Sequence, residues 1–137
     1  MRKKLVLSLV LVVLLGVVAI QAQAPAPSAI KRNVMVKANM GAIGPMDGYV
    51  VEAEIAPGGQ FGRHYHPGHE YVYVLSGEVT LEIDGKPPVI LKPGTAFHIE
   101  PSVIHNGRNN SATQPFKAVF FYVIEEDKPM VIPAPAK

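Results

Sequence analysis

The feature that most restricts what this chain can fold into is its punctuation. Pro57-Gly58-Gly59, Pro67-Gly68, Ser76-Gly77, Asp84-Gly85, Pro93-Gly94 and Pro101-Ser102 interrupt it at short intervals. Glycine and proline in such pairs end regular structure and mark turns. The runs between them read as strands. Tyr49 to Ile55 alternates, with Tyr49, Val51, Ala53 and Ile55 on one face and Glu52 and Glu54 on the other, the period of a half-buried strand. Tyr71 to Leu75 is a more continuous β-branched and aromatic run. Glu78 to Ile83 alternates again, and Asp84-Gly85 is a strong hairpin signal. Phe116 to Ile124 is apolar on both faces apart from Lys117, which predicts a central strand or one covered on both sides. Tyr49, Tyr71, Tyr73, Phe97, Phe116, Phe120 and Tyr122 are read as core by default. No segment after the N-terminal leader carries a helical period. Short strands with Gly/Pro turns predict an all-β sandwich or barrel.

With 137 residues the chain has room for one domain. Residues 1–24 have the anatomy of a secretory signal peptide. Arg2, Lys3 and Lys4 form a basic start, Leu5 to Ile20 is apolar and uncharged, and Ala22-Gln23-Ala24 is an Ala-x-Ala cleavage site. The apolar run of 16 residues falls short of the roughly 20 that span a bilayer, so an exported, cleaved product with no stable membrane insertion is expected, periplasmic or secreted. Removing three of the 13 basic residues leaves 10 against 11 acidic ones, a net charge of −1. No basic patch remains, which argues against nucleic acid as a partner, and Lys31-Arg32 reads as a solvated strand end. The chain has no cysteine, so neither a disulfide nor a lipid anchor is available. Stability then rests on the core, on a bound metal and on a homodimer, for which the doubly apolar run 116–124 is the expected surface. The boundaries expected are a linker and strand over 25–48, a barrel over 49–125 and a Pro-rich tail over 126–137.

Chemistry concentrates in one stretch. His64, His66 and Glu70 form His-x-His-x₃-Glu, and His105 follows one hairpin later. Side chains two apart on a strand share a face, so His64 and His66 point the same way. Pro67-Gly68 allows a bend, after which Glu70 has the parity of Val72 and Val74, the core parity. A carboxylate on an apolar face is expensive to bury unless it is paired or bound to a metal. His105, after the Pro101-Ser102 corner, can complete the set from a facing strand.

Here the sequence resembles the cupins. Their first motif is usually written G-x₅-H-x-H-x₃₋₄-E-x₆-G, and Gly58, His64, His66, Glu70 and Gly77 match it without a gap. In the second, G-x₅-P-x-G-x₂-H-x₃-N, Gly94, His105 and Asn109 match at full spacing. Pro101 comes one residue late, and the inner glycine region is replaced around Val103. The 16 residues between Gly77 and Gly94 resemble the short intermotif hairpin of small bacterial cupins. The resemblance implies a small antiparallel double-stranded β-helix, a jelly-roll-like barrel, holding one divalent metal through His64, His66, Glu70 and His105.

Three imidazoles and a carboxylate suit Mn, Fe, Ni, Co or Zn. An octahedral ion would leave two positions for water, O₂ or a chelating small molecule. The function expected is a metal-dependent dioxygenase or related oxidoreductase acting on a small organic molecule. The alternatives are an isomerase or decarboxylase, or a non-catalytic protein that binds a small ligand or the metal itself. No dedicated general base is evident. His69, out of parity with Glu70, and His98, with no spaced partner, are read as ordinary strand histidines. Arg63 and Arg108 flank the ligands and carry a carboxylate-binding fork, but are read as solvent-exposed neighbours. Protein expressed in a Gram-negative host should begin at Gln23 or Pro25 by N-terminal sequencing. A membrane-bound product beginning at Met1 would contradict cleavage.

Overall fold

The computed structural model describes residues 30–135; the leader and its cleavage site lie outside them. Ten strands run in chain order: β1 (Ile30–Asn39), β2 (Met46–Ile55), β3 (His64–Tyr65), β4 (Gly68–Ser76), β5 (Val79–Ile83), β6 (Val89–Leu91), β7 (Ala96–Ile99), β8 (His105–Arg108), β9 (Phe116–Glu125) and β10 (Ile132–Pro133). The only helical element among the described residues is a 3₁₀ turn at Gly41–Ile43. No helix there is long and apolar enough to cross a membrane. The strands form two five-stranded sheets, ordered β1-β2-β9-β4-β7 and β10-β3-β8-β5-β6, with every pairing antiparallel. This is the expected double-stranded β-helix.

Alternation decides which side chains fill the space between the sheets. Val51, Ala53 and Ile55 of β2, Val72 and Val74 of β4, Val79, Leu81 and Ile83 of β5, and Phe116, Ala118, Phe120, Tyr122 and Ile124 of β9 form one core with Leu91 and Ile99. β9 is central as expected, paired along its whole length with β2 and on its other edge with β4. It is not covered on both sides, because Phe121 on its outer face is 44% exposed. Tyr71 and Tyr73 likewise leave the expected core. Val72 and Val74 take the inner face of β4, and strict alternation turns the two tyrosines outward.

Both flanking segments join the sheets. β1, within 25–48, extends the first sheet along β2. β10, within the tail, pairs with β3, Ile132 opposite Tyr65 and Pro133 opposite His64. Two glycine-motif positions show why they need their residues. Gly77 has φ +73°, and a Cβ there would lie 2.5 Å from the Pro115 carbonyl oxygen. In the second motif the left-handed position falls on Ser102, at φ +62°, not on Val103, which packs half-buried against the core. Ser102 also donates its backbone N–H to the His66 carbonyl at 2.9 Å, tying the corner to the metal-motif loop.

Asn109 holds the far end of the barrel. Its buried amide donates to the carbonyls of Ile55 at 3.1 Å and Gln114 at 2.8 Å, and its oxygen accepts from Ser111 N–H at 3.0 Å. Asn109→Ala should therefore cost about 2–4 kcal/mol in denaturant unfolding, because it orphans several buried backbone groups at once. Ser102→Gly should do the opposite and gain up to about 1 kcal/mol, since glycine adopts positive φ without penalty.

Candidate metal centre

The four expected ligands converge. His64 on β3 stands directly opposite His105 on β8 in the ladder of the second sheet. Glu70 on β4 and its cross-strand neighbour Tyr122 on β9 approach from the first sheet. His66 comes from the link between β3 and β4. His64, His66, Glu70 and His105 are all buried. One donor atom from each lies within 4.8 Å of the others.

What orients the rings lies behind them. His64 Nδ1 is 2.8 Å from the Gly62 carbonyl, His105 Nδ1 is 2.9 Å from the Val103 carbonyl, and His66 Nδ1 bonds the Met130 carbonyl. A carbonyl can only accept, so each Nδ1 carries a proton, and in the neutral ring each Nε2 is a lone pair. The His66 Nε2 and His105 Nε2 lone pairs meet Glu70 Oε2 at 2.7 and 3.2 Å. With both rings neutral these contacts set acceptor against acceptor, and a proton on either Nε2 turns its contact into an ion pair with Glu70. Such a cluster is repulsive until a positive species enters it. One proton can bridge only one of these contacts; a divalent ion answers all of them. The donor set of three imidazoles and one carboxylate therefore fits a transition-metal centre of the kind expected.

The electrostatics agree. Burial pushes His64 down to about 4. Burial alone would raise Glu70, but the His105 and His66 rings outweigh it and hold the carboxyl at about 2. Burial also pulls on His105, yet the Glu70 carboxylate prevails and raises it above the ordinary imidazole value. Tyr122, its ring 4.9 Å from that of His66, is raised well above 10 by burial first and by the Glu70 charge second, so its phenol stays protonated.

The chamber around the cluster is small, about 30 Å³, room for a couple of waters. Its walls are apolar, with Val72, Leu81, Ile99 and Phe120 among them. Arg32 of β1 also lines it, its guanidinium 5.1 Å from the centre of the Phe61 ring. Arg32 is thus a site residue that sequence reading assigned to solvent; nothing in Lys31-Arg32 announces which way the strand presents it. Asn106 is the other omission. It accepts from Gly62 N–H at 3.0 Å and donates to Gln60 and Glu82, fixing the turn whose carbonyl orients His64. Arg63 and Arg108 stay outside, paired with Asp84 and Glu82. His69 and His98 do not enter the chamber either. They are not partnerless, however: His69 Nδ1 and His98 Nε2 are 3.0 Å apart.

These shifts set the sign of the pH dependence. His64 binds its proton more weakly folded than unfolded, so stability should rise between pH 4 and 6.5. His105 binds its proton more tightly when folded, so metal-free protein should lose that contribution as pH climbs through the raised value. Metal-loaded protein needs neutral imidazoles and should instead keep gaining. In thermal melts the gap between loaded and metal-free protein should widen above pH 6.5; a constant gap would contradict the ligand assignment. His66→Ala and His105→Ala should each lower metal content and shrink that gap.

No curated protein matches the sequence. Solved structures do. One is an uncharacterized conserved protein with a double-stranded β-helix domain from Klebsiella pneumoniae, with TM-score 0.63 and 23% identity, covering 82% of this chain and 90% of that one. Another is the polyketide cyclase RemF from Streptomyces resistomycificus, with TM-score 0.63, 19% identity and coverage of 83% and 78%. A third is the DMSP lyase DddQ from Ruegeria pomeroyi, with TM-score 0.54 and 24% identity, covering 66% of this chain but 43% of that one. At these identities the likeness is one of fold. The cupin domain family model matches residues 51–124, more than half of the chain and all of the strands that carry the ligand motifs, and the chain belongs to the cupin family.

Proposed function

We propose that this chain is an exported metal-dependent cupin enzyme acting on a small organic molecule, with dioxygenase chemistry as its reaction class. The observation that carries the metal dependence is the buried cluster of unpartnered Nε2 and carboxylate acceptors, with every Nδ1 tied off behind it. His64, His66, Glu70 and His105 would hold the ion. When bound, it supplies Lewis acidity and, for Fe or Mn, an electron path between substrate and O₂. The residues around it would do the rest. The apolar walls exclude water, and Tyr122 holds its proton ready to donate a hydrogen bond to substrate oxygen. Arg32 at the rim favours an anionic substrate. Apart from the ligands, the titratable side chains lining the chamber are Arg32 and Tyr122. Neither is a base at neutral pH, which favours oxidative chemistry over proton abstraction.

A second reading, Lewis-acid lyase or isomerase chemistry, is favoured by the position of Tyr122 against His66 and by similarity to a lyase and a cyclase. Oxygen-electrode assays separate the two. Protein loaded with Fe²⁺ or Mn²⁺ should consume O₂ with a small catechol-like substrate, of which only the reacting edge need enter the chamber. Turnover that proceeds unchanged without O₂, and that falls about 10²-fold in Tyr122→Phe, would replace the first reading by the second.

A further inference from the structure

We propose a second metal site, independent of the one in the barrel, formed by His69, His98 and Glu100 on the outer face of the first sheet. Alternation places it there. Glu70 and Ile99 point into the barrel, so His69 and His98 point out, and the sheet separates the two clusters. Tyr71 pairs with His98 in the β4–β7 ladder, which brings His69 diagonal to His98 and next to Glu100 just beyond the strand. His69 Nδ1 lies 3.0 Å from His98 Nε2 and 3.5 Å from Glu100 Oε2. Ligand atoms about 2.1 Å from a shared ion are about 3.0 Å apart at right angles and about 3.4 Å apart in a tetrahedron. One donor from each residue lies within 4.8 Å of the others, so side-chain rotation alone closes the triad.

Two further observations support a built site. Tyr71 stacks on His98 with ring centres 4.4 Å apart and planes 15° from parallel, fixing the imidazole toward His69. The acid also has a sequence origin. Glu100 stands where the second cupin motif carries its proline, and the late Pro101 is the counterpart of that exchange. The departure from the motif thus places a carboxylate beside two histidines. The side chains are 42%, 33% and 64% exposed, so an ion enters from solvent and keeps water on its remaining positions. Two imidazoles and a carboxylate select Zn²⁺, Ni²⁺, Cu²⁺ or Co²⁺ over Mg²⁺ or Ca²⁺.

Calorimetric titration of the mature chain with ZnCl₂ in a non-coordinating buffer tests this. Wild type should bind two equivalents. His69→Ala/His98→Ala should lose one and keep the other, and its metal-free melting temperature should stay close to that of wild type because both residues lie outside the core. His98→Ala alone should weaken the affected equivalent at least about tenfold. Glu70→Gln should perturb the other equivalent only. A single wild-type equivalent that disappears in His69→Ala/His98→Ala would uphold the surface site while removing the barrel centre. Stoichiometry and affinity unchanged in the double variant, or no zinc bound by wild type, would overturn the surface site.

Discussion

The structure is organised around an unresolved electrostatic contact. Two imidazole Nε2 atoms and a carboxylate oxygen are pressed together at hydrogen-bond distance in a buried chamber. An unpaired buried acceptor costs free energy, and several facing one another cost more. The fold tolerates that cost because the carbonyls of Gly62, Val103 and Met130 hold the rings from behind. A bound cation turns the same arrangement from a liability into a preformed site.

The periphery of the barrel serves that arrangement. Asn106 fixes the Gly62 turn, and Ser102 ties the β7–β8 corner to His66. The C-terminal segment supplies Met130 and pairs with β3, so the tail is part of the ligand-orienting shell. Arg32 adds the N-terminal strand to the chamber rim. The motif residues would hold the ion, and the carbonyls of Gly62 and Val103 within the motifs and of Met130 beyond them set which nitrogen each ring presents.

Much of this was legible in the chain because strands have period 2. Val51, Ala53 and Ile55 reveal an inner face, and the parity of Glu70 with Val72 places a carboxylate on it. Spacing therefore groups His64, His66 and Glu70, and the resemblance to the cupins adds His105 and completes the set. Tyr71 and Tyr73 depart from the expected core because strand parity, set by Val72 and Val74 on the inner face, leaves them no place inside. His69 and His98 looked solitary because their proximity depends on the β4–β7 register, which no local pattern encodes. The same holds for Arg32 and for the tail, whose roles arise from long-range pairing. The departure in the second motif was visible, but the positive φ belongs to Ser102, one residue before the place sequence reading gave it.

The central claim is that His64, His66 and His105 present Nε2, and Glu70 its carboxylate, to one ion. The most direct test is an anomalous-difference map, recorded at the metal absorption edge from crystals of the metal-loaded protein. The account predicts a peak about 2.0–2.2 Å from those three Nε2 atoms and from a Glu70 oxygen, with the Nδ1–carbonyl bonds intact. A chamber without a peak, or a metal held through Nδ1 by rings turned away from Gly62, Val103 and Met130, would contradict it.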